Sequence, residues 1–121
     1  MQKETNLSDA ELTIMEILWS GGPQKARDIA AQARAKTGWE KNTVYTMLGR
    51  LIEKGAVERA EPDFLCTAKV EKGDVLRRQT SALLEKLYAG SAKLFLRAFI
   101  REQKLSRREL EELIRTIDEE E

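Results

Sequence analysis

Residues Trp39 to Gly55 read W-E-K-N-T-V-Y-T-M-L-G-R-L-I-E-K-G, and their spacing leaves little choice of local structure. Val44, Met47, Leu48 and Leu51 fall at offsets 0, 3, 4 and 7, the apolar stripe of a core-facing helix. Thr43, Thr46, Arg50 and Glu53 form a second row on another side, with Asn42 and Tyr45 flanking it near the start. Gly55 supplies the left-handed stop just past the last apolar residue. The polar row holds hydroxyls, an amide and one Arg, where an ordinary solvated face is richer in Lys and Glu. Side chains of these types donate to phosphates and reach base edges, as a helix in a DNA major groove must. A surface helix of some other small domain would show the same stripe.

The flanking sequence predicts how this helix is held. Met1 to Leu7 reads as a loose arm. Ser8-Asp9-Ala10-Glu11 is a capping box that opens a helix over about Asp9 to Trp19. Its broad apolar face is Leu12, Met15, Leu18 and Trp19, widened by Ile14 and Ile17, and Ser20-Gly21-Gly22-Pro23 breaks it. A second helix over about Lys25 to Lys36 has the inner row Ala26, Ile29, Ala30 and Ala33, small enough for close helix packing. Trp39 is expected as an apolar plug between helices. Beyond Gly55 the period changes. Residues 56–60 and 64–70 read as two strands joined by the turn Glu61-Pro62-Asp63. Three helices and a hairpin make the winged form of the helix-turn-helix. Cys66 is read as a small buried or half-buried hydrophobe in the second strand.

From Glu71 onward the pattern is helical again. Val75, Leu76, Leu83, Leu84, Leu87 and Tyr88 are expected on one side of a helix closing at Gly90. A second segment, Ser91 to Gln103, carries Leu94, Phe95, Leu96, Ala98, Phe99 and Ile100. A third opens on the capping box Ser106-Arg107-Arg108-Glu109 and places Leu110, Leu113, Ile114 and Ile117 at offsets 0, 3, 4 and 7. Three short helices cannot bury that much apolar surface alone, and an exposed patch of this size finds a partner. A twofold dimer is the economical solution, with Leu83, Leu84, Leu87, Tyr88, Leu94, Phe95, Phe99, Leu110, Leu113, Ile114 and Ile117 as its expected contacts. The fold class expected is mainly α with a small β-hairpin: a winged helix-turn-helix over 1–72, then a helical dimerisation region over 73–121.

Composition excludes whole classes of chemistry. The chain has no His and one Cys among 121 residues, so His-based catalysis and a structural zinc site are unavailable. No P-loop or dinucleotide-binding glycine pattern occurs. No cofactor, no metal and no enzymatic activity are expected. No apolar run approaches a membrane span and no signal peptide is read, so a cytoplasmic protein is expected. The formal charge is zero, but seven bases face three acids between Lys25 and Gly55. That excess of four is compatible with salt-sensitive DNA binding and equally with a mixed surface.

These motifs resemble the penicillinase-repressor family, the BlaI/MecI-type winged-helix regulators of bacteria. The likeness runs through L-S-D-A-E-L-x-I-M-E-I-L-W (Leu7 to Trp19), W-x-x-N-T-V-x-T-x-L-x-R-L-x-x-K-G (Trp39 to Gly55) and F-I-R-E-Q-K-L-S-x-x-E-L-E-E-L (Phe99 to Leu113), the middle run being the most specific. The resemblance implies a homodimeric repressor on a palindromic double-stranded DNA operator, with residues 41–54 as recognition helix. Lys41, Asn42, Thr43, Tyr45, Thr46 and Arg50 would contact DNA, Thr43 and Thr46 facing the groove and Arg50 the backbone. Relatives are released by a membrane-bound metalloprotease sensor that cleaves their C-terminal helices. The matching bond here is Ala98-Phe99, where the best-known members carry Asn before the Phe. The Cys-rich tail of a copper-responsive branch is missing. The short acidic turn Glu61-Pro62-Asp63 is expected to repel phosphates and add little to DNA contact. The alternative reading is a winged-helix protein-interaction module without specific DNA binding.

Overall fold

The computed structural model describes residues 6–120. The element order is α1 (Asp9–Gly21), β1 (Gln24–Lys25), α2 (Ala26–Thr37), α3 (Lys41–Glu53), β2 (Val57–Ala60), β3 (Leu65–Ala68), α4 (Lys72–Tyr88), α5 (Ala92–Gln103) and α6 (Arg107–Glu120). Two compact units divide inside α4, the first running to Gln79 and the second starting at Thr80.

In the first unit, α1, α2 and α3 pack around one core with the sheet against them. The capping box forms as the sequence predicts. Ser8 Oγ accepts the Glu11 N–H at 3.1 Å, and Glu11 Oε1 accepts the Ser8 N–H at 3.0 Å. The expected arm over Met1 to Leu7 lies outside the described residues as far as residue 5, whereas Leu7 itself is buried in the core. The core face of α1 is centred on Ile14, Met15, Ile17 and Leu18, with Leu12 and Trp19 only partly buried. All six residues of the expected face lie in or against the core, but its centre falls on the Ile14 and Ile17 side and Leu12 and Trp19 form its margin. Trp19 lies at the margin, where its indole N–H donates to the Val70 carbonyl at 3.0 Å. Trp39 is likewise only partly buried, packed against the edge of the core.

The sheet has three strands, not two, in the order β1-β3-β2, all antiparallel. β1 is two residues long, too short to show alternation in the sequence, and exists by pairing Gln24 with Cys66 and Lys25 with Leu65. Lys25 therefore belongs to a strand and not to the second helix. Phe64 leaves the expected second strand for the turn, where its φ is 51°. Its carbonyl accepts the Ala26 N–H at 3.0 Å, tying the start of α2 to the wing.

Val75, in the second turn of α4, is buried in the first unit's core while its neighbour Leu76 is 51% exposed. The apolar residues expected on one side of this helix thus divide between two directions. In the second unit, Tyr88 meets Phe95 edge to face at 5.4 Å, and Phe95 stacks on Phe99 at 5.6 Å. Helix α6 begins with the capping box its sequence predicts, at Ser106 with Glu109, and α5 begins with a cap at Ser91, whose Oγ accepts the Leu94 N–H at 3.1 Å. No residue of either helix is buried.

Candidate nucleic-acid interface

Helix α3 is anchored by Val44, Leu48 and Leu51, each fully buried. It ends in a Schellman turn: the Gly55 N–H reaches the Ile52 carbonyl at 3.0 Å and the Ala56 N–H the Leu51 carbonyl at 2.9 Å, with Gly55 at φ 83°. Three side chains thus fix the rotation of the helix about its axis, and rotation decides what faces outward. Lys41, Asn42, Thr46 and Arg50 are exposed, and Thr43 is half-buried at the edge. Thr46 Oγ1 donates to the Asn42 carbonyl at 2.9 Å, so its hydroxyl is held in place with acceptor capacity left over.

Tyr45 is placed differently from the others. It is half-buried, edge to face with Phe64 of the wing at 5.5 Å. The Lys41 ammonium lies 5.5 Å from the Tyr45 ring, and the Arg59 guanidinium lies 3.6 Å from the Phe64 ring. This run of cations and rings fastens the wing to α3.

The turn of the wing is not the bare acidic tip the sequence suggested. Glu61 is paired with Arg59, and Asp63 lies 3.8 Å from Lys25 of β1. Both acids acquire a base because β1 and β2 flank the strand that leaves the turn.

Two features of the surface escaped the sequence reading. Arg27, Arg34 and Lys41 surround a shallow hollow of about 230 Å³ whose apolar lining is Ala30 and Ala31. It places two α2 bases beside the first residue of α3. The spacing of Arg27 and Arg34, one heptad apart on α2, was the available signal. Gly49 is the second feature. It shares the outward row of α3 with Asn42 and Thr46, and a Cβ built there meets nothing within 4 Å. A mid-helix Gly costs roughly 1 kcal/mol relative to Ala. Nothing inside the described structure explains that cost, and the missing side chain leaves room on the outward face.

Lys54 leaves the basic patch altogether. Its ammonium lies 2.6 Å from Glu11 Oε1 and donates to the Asn6 carbonyl at 3.1 Å. Burial pushes the Glu11 carboxyl up, but Lys54 and the Ser8 N–H and hydroxyl outweigh it and hold the group below the usual glutamate range. Cys66 is fully buried and burial pushes its thiol up, with Arg59 opposing weakly. No group of His, Cys, Asp and Glu among the described residues is arranged to hold a metal.

Comparison with known proteins places this geometry. The family model described as penicillinase repressor matches residues 7–119. The chain belongs to the penicillinase repressor family. It is 27% identical to the penicillinase repressor of Bacillus licheniformis, an alignment covering 98% of this chain and 94% of that one. It is also 27% identical to the methicillin resistance regulatory protein MecI of Mammaliicoccus sciuri, over 92% of each. Among solved structures, the DNA-binding domain of the repressor BlaI superposes with a TM-score of 0.56 at 30% identity, covering 61% of this chain and 93% of that domain. The monomeric form of Bacillus licheniformis BlaI, in complex with the blaP half-operator, superposes with a TM-score of 0.51 at 30% identity, covering 56% and 85%. These likenesses to BlaI bear out the winged-helix fold expected from the sequence.

Proposed function

We propose that two copies of this chain bind a palindromic operator, each laying α3 into the major groove of one half-site. The chain is a DNA-binding transcriptional repressor and not an enzyme, as its family membership establishes. The observation that carries the rest is the outward face of α3, where Asn42, Thr46 and Arg50 surround the bare backbone of Gly49. Lys41, Arg27 and Arg34 stand at its N-terminal end as phosphate contacts. Thr43 lies at the edge of the groove face. Tyr45 acts from behind, setting the angle of the wing.

Dimerisation belongs to the C-terminal helices, where Leu83, Leu87, Leu94, Phe99, Leu113, Ile114 and Ile117 stand exposed. Leu84, Tyr88, Phe95 and Leu110 complete this surface as half-buried neighbours. Among the described residues no helix is long and apolar enough to cross a membrane, and we place the repressor in the cytoplasm with the DNA. Release by a membrane-bound sensor protease would act at Ala98-Phe99. Both residues are exposed, but the bond lies within α5, so cleavage requires the helix to open first. The test is binding to selected palindromes and to random DNA across a salt series. The proposal expects tight, two-chain binding to the palindrome. Equal, weak binding to every sequence would favour the interaction-module reading instead.

A further inference from the structure

Gly49 leaves bare a patch of α3 for which the fold itself has no use. A mid-helix Gly destabilises a helix relative to Ala. A Cβ at this position would meet nothing within 4 Å, so no packing inside the described structure calls for a glycine. Its backbone is ordinary α-helix, so no turn calls for one either. A helical side chain covers the turn N-terminal to its own Cα, and the uncovered patch therefore lies over the turn that holds Tyr45 and Thr46.

The chemistry around the patch restricts what can fill it. Backbone N–H and C=O groups inside a helix bond along the ladder, so Gly49 offers no free donor. The Thr46 hydroxyl hydrogen is committed to the Asn42 carbonyl at 2.9 Å. Tyr45 is held half-buried, its ring edge to face with Phe64. The donors of this face belong to Asn42, two turns earlier, and to Arg50, the next residue, both exposed. A base edge brought to the patch finds space and apolar surface but no donor. In the major groove thymine alone presents an apolar group, its C5-methyl, where the other edges carry donors and acceptors that need partners.

We propose that the bare patch at Gly49 receives the C5-methyl of a thymine, which makes Gly49 a specificity-determining residue for the operator. The inference rests on the operator-binding reading above and adds one base that each half-site must carry. The methyl of thymine and the Cβ that Gly49 lacks are the same size. Either one can fill the space, and both together collide.

The test adds a methyl group on one side and removes it from the other. Full-length parent and Gly49→Ala are titrated with a selected palindrome in which each thymine in turn, in both half-sites, is replaced by uracil. Uracil pairs as thymine does and lacks only the methyl. Thermal unfolding should show Gly49→Ala at least as stable as the parent, so that lost binding is not lost fold. The parent should bind about fourfold more weakly per half-site when one particular thymine loses its methyl, the effect of burying one group of that size. Gly49→Ala should bind the thymine palindrome about tenfold or more weakly than the parent, as overpacking does. It should recover most of that loss when uracil stands at that same position and at no other. A variant equally weak on every one of these DNAs would overturn the inference, because the glycine would then serve close backbone approach and not a methyl. A variant that binds like the parent would overturn it too, as would a parent indifferent to every thymine methyl. A parent that binds the palindrome no better than random DNA would overturn the operator-binding reading itself.

Discussion

Lys54 shows how a residue's role depends on where the fold carries it. In sequence it is one more base of the positive stretch around α3, yet its ammonium spans from the end of α3 to Glu11 at the start of α1. Removing one partner of a half-buried ion pair strands the other, so Lys54→Met should lower stability by about 1–3 kcal/mol in urea unfolding. The pH dependence has a definite sign. The folded-state pKa of Glu11 is depressed, so its contribution is complete above the ordinary glutamate value of 4.5 and is lost as pH falls through the lower folded value. Stability measured from neutral pH into acid should therefore fall less steeply in Lys54→Met than in the parent. Cys66 makes the opposite case, a reactive residue type made inert. It is fully accounted for by burial and a 3.7 Å contact with the Phe64 carbonyl. Ellman's reagent should modify it slowly in the folded protein and rapidly once urea unfolds the chain.

At the scale of elements, α3 was legible in detail because its signals are local. Helical spacing gave the apolar stripe, and one glycine gave the stop. The elements the sequence hid depend on distant partners. β1 is created by β3, and the acids of the wing turn find bases two residues away and on another strand. The residues of the α1 face were legible too, but not which of them lie at its centre, since spacing cannot say how many neighbours will cover a helix. Gly49 gives the sharpest prediction for α3. Gly49→Ala should stabilise the fold by about 0.5–1 kcal/mol. The same change should weaken DNA binding, because a methyl group would stand on the outward face beside Thr46. Thermal unfolding and a binding titration on the same sample measure both. Arg50→Ala should cost about 1–3 kcal/mol of binding if Arg50 meets a base, with the loss concentrated on one operator position. Arg27→Ala should weaken binding on every sequence alike and flatten the salt slope by about one.

At the scale of the whole molecule, the two units present different kinds of surface. The first buries a continuous core from Leu7 to Val75. The second leaves leucines, isoleucines and a phenylalanine open along three helices. The apolar periodicity of these helices could be read from the sequence, and with it the expectation of a twofold partner; how two copies would meet could not, because that leaves no local signal in one chain. On the dimeric reading proposed above, the first unit would bind DNA with a strength that depends on pairing through the second. Joining two half-site contacts makes the second binding event intramolecular, which raises affinity without any new contact. The most direct measurement is the stoichiometry and salt dependence of binding to a selected palindrome, with its isolated half-site and random DNA as controls. Two chains should bind the palindrome far more tightly than one chain binds the half-site, and random DNA should lose binding first as salt rises. A palindrome bound no better than its half-site, or no better than random DNA at any salt, would contradict a dimeric operator-binding repressor.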